Sequence, residues 1–233
     1  MNIKLVGTAL TLALFGAATA HAAITSTERD RLQAAANVLT SLHGTPDKDI
    51  PSYLWDRAQC VVVIPSVKKA AFIFGGEYGK GVVTCRNGNT WSAPAFMQLE
   101  KGSWGAQIGG EEIDLVLLVM NRDGMNKLLQ DKVSLGAGAS AAAGPVGRTT
   151  TASTDGQFSA QILSYSRSNG LFAGVDLSGG ALAPDNDANH DVYGPQVTPR
   201  QILVDQTVMA PPEAEPFLTS VRNEFAGGAT SNN

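Results

Sequence analysis

Two apolar runs constrain this chain more than anything else in it. Residues 112–120 (Glu-Ile-Asp-Leu-Val-Leu-Leu-Val-Met) carry the strongest strand signal, and residues 60–64 (Cys-Val-Val-Val-Ile) are β-branched without interruption after the cysteine. A run without polar alternation fits a central strand, and Pro65 is expected to end the earlier one. Strands are also expected at residues 70–74, 81–85 and 91–99, the first two separated by Gly75-Gly76-Glu77-Tyr78-Gly79. Residues 157–165 and 171–177 alternate like an antiparallel pair, and residues 133–143 are rich in glycine and alanine.

Helical spacing appears at both ends. Leu32, Ala35, Ala36, Leu39 and Leu42 predict a helix over residues 26–42, opened by a capping box with Thr25 at the N-cap and Glu28 at N3 and stopped by Gly44 and Pro46. A short helix is expected after Pro51 and another over 121–130. Thr198, Pro199 and Gln201 form a second capping box. Residues 183–197 read as a polar loop, 211–213 as a linker, Phe217 to Phe225 as a short amphipathic helix and 226–233 as a disordered tail. With 233 residues, 25 of them glycine without a collagen period, the pattern is one α+β core with many turns.

The first 22 residues read as an export signal: Lys4, an uncharged apolar stretch from Leu5 to Ala18, then Ala20-His21-Ala22. Cleavage is expected after Ala22, or after Ala20. An uncleaved anchor is the alternative, although the apolar run is short of about 20 residues. The expected location is the periplasm or outside the cell. Without residues 1–22 the chain keeps 16 basic and 21 acidic residues, a net of −5. Nucleic acid is thereby excluded as a partner held by overall charge. In such a compartment Cys60 and Cys85 suit one disulfide, the alternative being two buried thiols.

Candidate chemistry is sparse. There is no G-x-S-x-G elbow, no G-K-[ST], and Gly136-Ala137-Gly138-Ala139-Ser140 lacks the rest of a dinucleotide fingerprint. No cofactor is implied. Asp185, Asp187, Asn189 and Asp191 place oxygens at alternate positions like the start of a calcium loop. However, His190 stands where the glycine belongs and Gln196 where the glutamate belongs, so turn-forming side chains are the other reading. The charge map says more. Residues 65–86 hold Lys68, Lys69, Lys80 and Arg86 against Glu77, a net of +3 on a chain that is otherwise −8. Phe72, Phe74 and Tyr78 lie among them. Cations beside aromatics suit an anionic lipid surface; a solvated turn with phenylalanines in the core is the alternative.

Seven segments in order resemble one family: Ala58-Gln-Cys-Val-Val-Val-Ile-Pro65, Gly75-Gly-Glu-Tyr-Gly-Lys-Gly81, Trp91-Ser-Ala-Pro-Ala-Phe96, Gln107-Ile-Gly109, Gly144-Pro-Val-Gly-Arg148, Tyr165-Ser-Arg-Ser-Asn-Gly-Leu-Phe172 and Asn189-His-Asp-Val-Tyr-Gly194. Together they are similar to the SYLF domain, also called the Ysc84 actin-binding or Las17-binding domain, over most of residues 30–195. The resemblance implies an α+β fold, a BON-like α/β unit merged with a glycine-rich antiparallel β part and flanked by N- and C-terminal helices. It also implies a non-catalytic module that binds anionic phospholipids, phosphoinositides among them. Lys68, Lys69, Lys80 and Arg86 would supply the charge, joined by Arg148 and Arg167. Actin is a partner by family analogy alone and would not be met after export. The domain is expected over residues 23–210. An envelope component that docks on protein is the second reading. An enzyme is the third and would need a pocket with His190 and nearby carboxylates.

Overall fold

The computed structural model describes residues 24–44, 50–71, 74–104, 111–136, 141–146, 160–168 and 171–230. The expected export segment 1–22, Gln107-Ile-Gly109, Phe72 and Arg148 lie outside them. The fold is α+β, with six α-helices and ten strands among the described residues.

The strands are β1 Cys60–Ala71, β2 Phe74–Asn87, β3 Thr90–Trp91, β4 Ala95–Trp104, β5 Glu111–Val119, β6 Val133–Ser134, β7 Ala141–Ala143, β8 Ile162–Ser168, β9 Leu171–Gly174 and β10 Gly180–Pro184. They form one curled sheet in the order β6-β10-β4-β2-β1-β5-β8-β7, with β3 added to β2 and β9 to β8. Only the β7–β8 pair is parallel among the described strands.

The two apolar runs pair in the middle, Cys60 opposite Val119 and Val62 opposite Leu117. Alternation sends Val61, Val63, Val116 and Leu118 to one face. There they meet α1 Ser26–Thr40, α2 Ser52–Arg57 and α6 Glu215–Thr230 through Leu32, Leu39, Trp55 and Phe217. Cys60, Val62, Ile64, Leu115, Leu117 and Val119 go to the other face. That face is covered by α3 Arg122–Leu128 and α5 Pro199–Leu203, through Leu128, Ile202 and Leu203. Both faces are dry, which is why neither run alternates; each such aliphatic side chain contributes roughly 1.5–3 kcal/mol. Cys60 and Cys85 face each other across β1 and β2 and are joined in a disulfide, with Cα atoms 4.0 Å apart.

Several expectations change. Pro65 does not end its strand: β1 runs on to Ala71, and the register slips between Val63 and Lys68. Proline offers no N–H, so the chain bulges there, Ser66 turns to φ 49°, and its N–H donates to Asp114 Oδ1 at 3.0 Å. Gly75 to Gly79 form no separate loop but belong to β2, so β1 and β2 are one long hairpin. Gly81 lies where a Cβ would stand 2.2 Å from the Val63 carbonyl oxygen. The strand expected over 91–99 divides into β3 and β4. The polar loop contains α4 Asn186–Tyr193, and α6 runs on to Thr230, through the start of the expected tail. Residues 212–214 form a 3-10 turn rather than an open linker. Thr25 is the N-cap of α1, but its hydroxyl donates to the Glu28 carboxylate and the reciprocal box does not form. The box at Thr198 and Gln201 is complete.

Candidate functional site

The side chains of the basic stretch diverge along the hairpin. Lys68 lies near its far end, opposite Tyr78 of β2 and Glu112 of β5; Lys69 is opposite Glu77 and Glu111. Lys68 is exposed, forms no ion pair among the described residues, and adjoins Tyr78, itself 44% exposed. Phe74 opens β2 at the same end.

Lys80 is two residues along β2 from Tyr78, on the same face. Its ammonium lies 2.9 Å from Asp185 Oδ2, the oxygen that also accepts from Arg31 of α1 at 2.9 Å. Arg31 rests 5.3 Å over the Phe96 ring. The Arg31 and Asp185 side chains are only 6% and 5% exposed, whereas that of Lys80 is 41% exposed. The hydrogen bond to Asp185 raises the Lys80 pKa above its ordinary value. Burial alone would raise the Asp185 carboxyl, but the hydrogen bonds and charges of Lys80 and Arg31 outweigh it and hold the pKa low. Asp185 also caps α4 through the Ala188 N–H.

Arg86 stands eight residues beyond Tyr78, about 26 Å along an extended strand. It donates to the Asp56 carbonyl at 2.6 Å and lies 5.1 Å over Phe225, whose ring packs on Trp55 and Trp91. Arg167 is held by Asp114 at 3.1 Å. Lys80, Arg86 and Arg167 are therefore engaged within the protein, and Lys68 faces solvent. Counting charges along residues 65–86 misses the acids that β5 and α4 bring alongside.

The far end of the sheet forms an open cleft of about 910 Å³. Lys68, Tyr78, Glu100, Ala181 and Ser134 are successive cross-strand neighbours on β1, β2, β4, β10 and β6. They share one face, and all line the cleft. Lys132 lies 3.9 Å from Glu100; Lys101 lies 3.7 Å from Glu77 and 3.3 Å from the Asp176 carbonyl. Lys101 and Lys132 escape the sequence reading because they fall outside the 65–86 stretch. Only the pairing of β2, β4, β10 and β6 brings Lys132 to the face of Lys68, while Lys101 reaches the cleft from the opposite face beside Glu77.

The calcium-loop reading does not survive the folding of α4. Asp185 is committed to Arg31 and Lys80, and Asn189 points inward to pair with the Phe96 backbone, accepting at 2.8 Å and donating at 2.9 Å. Asp187 and Asp191 are exposed. Among the described residues no three metal-capable side chains converge. His190 is exposed on α4. Burial raises the phenols of Tyr165 and Tyr193, and the latter donates to the Pro94 carbonyl at 2.6 Å. No helix among the described residues is long and apolar enough to cross a membrane.

A family model for Ysc84, described as Las17-binding protein actin regulator, matches residues 100–224, more than half of the chain. The chain is 36% identical over 178 residues to the protein YSC84 of Saccharomyces cerevisiae, covering 74% of this chain and 37% of the relative. It is 32% identical over 207 residues to an SH3 domain-containing protein of Schizosaccharomyces pombe, covering 84% and 47%. It is also 32% identical over 171 residues to the human SH3 domain-containing YSC84-like protein 1, covering 72% and 49%. The chain thus spans less than half the length of each of these curated relatives.

Proposed function

Because the chain belongs to the Ysc84 family, we propose that it is a non-catalytic module that binds anionic phospholipid at a membrane surface through the far end of its sheet. One observation carries this reading: Lys68, free of ion pairs among the described residues, stands beside the exposed Tyr78 at the mouth of a lysine-lined cleft. Each lysine brought against an anionic leaflet contributes about 1 kcal/mol, and a tyrosine ring suits the interface between headgroup and acyl chain. Lys69 adjoins Lys68, Phe74 opens β2 at the same end, and Phe72 stays in the set on sequence grounds. Arg148 stays in the set on sequence grounds, whereas Lys80, Arg86 and Arg167 serve the fold. On this reading residues 1–22 are an export signal, and the module works in the periplasm or outside the cell.

Vesicle flotation tests this. The protein should rise with vesicles containing phosphatidylglycerol and stay behind with pure phosphatidylcholine. Reversing both charges, Lys68→Glu with Lys69→Glu, should weaken partition at least about tenfold. Equal, negligible flotation with both vesicles would remove the lipid reading, and undiminished binding by the double variant would move the surface elsewhere.

A second reading rests on the family description, a Las17-binding protein and actin regulator: an envelope component that docks on another protein without lipid preference. It predicts no flotation and a protein that co-purifies.

A further inference from the structure

Gly76 and Gly102 face each other across β2 and β4, one pair further out than Tyr78 and Glu100 and on the same face. Both are exposed and both line the cleft. A Cβ on Gly102 would meet nothing within 4 Å, and one on Gly76 would come no nearer than 3.8 Å to its neighbours. Neither has the positive φ that favours glycine. The contrast with the same hairpin's Gly79 and Gly81 is sharp, since a Cβ there would strike Val67 at 2.7 Å and the Val63 carbonyl at 2.2 Å. Glycine weakens a strand interior, and at positions 76 and 102 neither packing nor backbone shape requires it. The effect of the two bare positions is to deepen the cleft floor.

The rim is cationic. The Lys132 ammonium stands 3.9 Å from Glu100, beyond hydrogen-bond distance, so its N–H donors remain for a ligand, whereas Lys101, paired with Glu77 and lying between Glu100 and Gly102 on β4, turns to the opposite face. Lys68 adds a second ammonium, and Ser134 and Glu100 share its face of the sheet. A volume of about 910 Å³ exceeds what one phosphate fills and falls within the roughly 300–1,000 Å³ of small-molecule sites.

Building on the membrane reading above, we infer that this cleft is a headgroup pocket. It takes the phosphate ester and hydroxyl-bearing part of a single anionic phospholipid, the phosphate between Lys68 and Lys132 and the hydroxyls against Glu100 and Ser134. The lipid then leaves past Tyr78 towards the bilayer.

The test uses dihexanoyl phosphatidylglycerol below its micelle concentration, inorganic phosphate as competitor, and the same vesicles as above. Gly102→Val puts bulk into open space and into the pocket, so it should fold with an unchanged or higher unfolding temperature. Its affinity for the short-chain lipid, and its partition into anionic vesicles, should fall about tenfold. Lys132→Glu, which lies outside the Lys68/Lys69 pair, should give a similar loss. If the unaltered protein and Gly102→Val bind vesicles and short-chain lipid equally well, the pocket is overturned and the surface reading stands. If the unaltered protein binds neither, both fall. Inorganic phosphate that displaces the short-chain lipid at equal concentration would make this a free-phosphate site and overturn the lipid as its occupant.

Discussion

Asp185 is a buried carboxylate with two cationic partners, and it ties three elements at one point: Arg31 from α1, Lys80 from β2 and, through the Ala188 N–H, the start of α4. Truncation to alanine would leave the Arg31 guanidinium buried without its acid, which costs about 3 kcal/mol or more; the half-exposed Lys80 adds less, since water screens it. The pH dependence has a definite sign. The Asp185 pKa is depressed in the folded chain, so its stabilisation is present above the ordinary carboxyl value and disappears as pH falls through the folded one. Urea midpoints from pH 7 to pH 2 should show Asp185→Ala less stable at pH 7 and converging on the unaltered protein at the acid end. A constant gap across that range would mean that the carboxylate charge plays no part. Sequence inspection singles out Asp185 as a possible calcium ligand and Lys80 as a lipid contact. Each found the other instead, because the two lie 105 positions apart and nothing local signals the pairing.

At the scale of elements, legibility followed the range of the cause. The runs of β1 and β5 and the box at Thr198 are written locally, and the structure keeps them. α4 was hidden because Asp-Asn-Asp-Ala-Asn-His-Asp has the composition of a turn; what makes it a helix is a local cap at Asp185, which turn-forming aspartates equally offer, together with an Asn189 amide bonded to the Phe96 backbone, a tertiary neighbour. The bulge at Pro65 is the converse, a strong local stop overridden by register on both sides. The cleft was illegible for the same reason as α4, since five separate strands supply its face. The disulfide combines both kinds: the cysteines are visible in sequence, and their exact opposition comes from the hairpin register. It closes a separation of 25 residues, which in the chain-entropy view is a contribution of about 3 kcal/mol. Cys60→Ala with Cys85→Ala should lower the unfolding free energy by that order, and reductant should lower the unaltered protein to match the double variant while leaving the variant itself unmoved. A reductant-sensitive variant, or an unaltered protein indifferent to reductant at its unfolding midpoint, would contradict the bridge.

The whole molecule is acidic, a net of −4 over 233 residues and −5 without residues 1–22, yet the proposed partner is an acidic surface. The two statements agree only if screening separates the cleft end from the body. At physiological salt the Debye length is about 8 Å, so a leaflet in contact with Lys68 and Tyr78 is shielded from carboxylates tens of ångströms away. At 0.01 M it is about 30 Å, comparable with the molecule, and the acidic body is felt. A basic protein binds anionic vesicles most strongly at the lowest salt. This one should bind weakly at about 0.01 M, best near about 0.1 M, and weakly again near about 1 M, where a Debye length of about 3 Å screens the lysine contacts themselves. Flotation across that series is the check. A steady decline from the lowest salt upward would show that the contact surface carries more positive charge than Lys68, Lys69, Lys101 and Lys132 supply after Glu77, Glu100, Glu111 and Glu112 are set against them. Replacing Glu100 by Gln should shift the maximum to lower salt, because it removes the acid nearest the pocket without touching the distant ones.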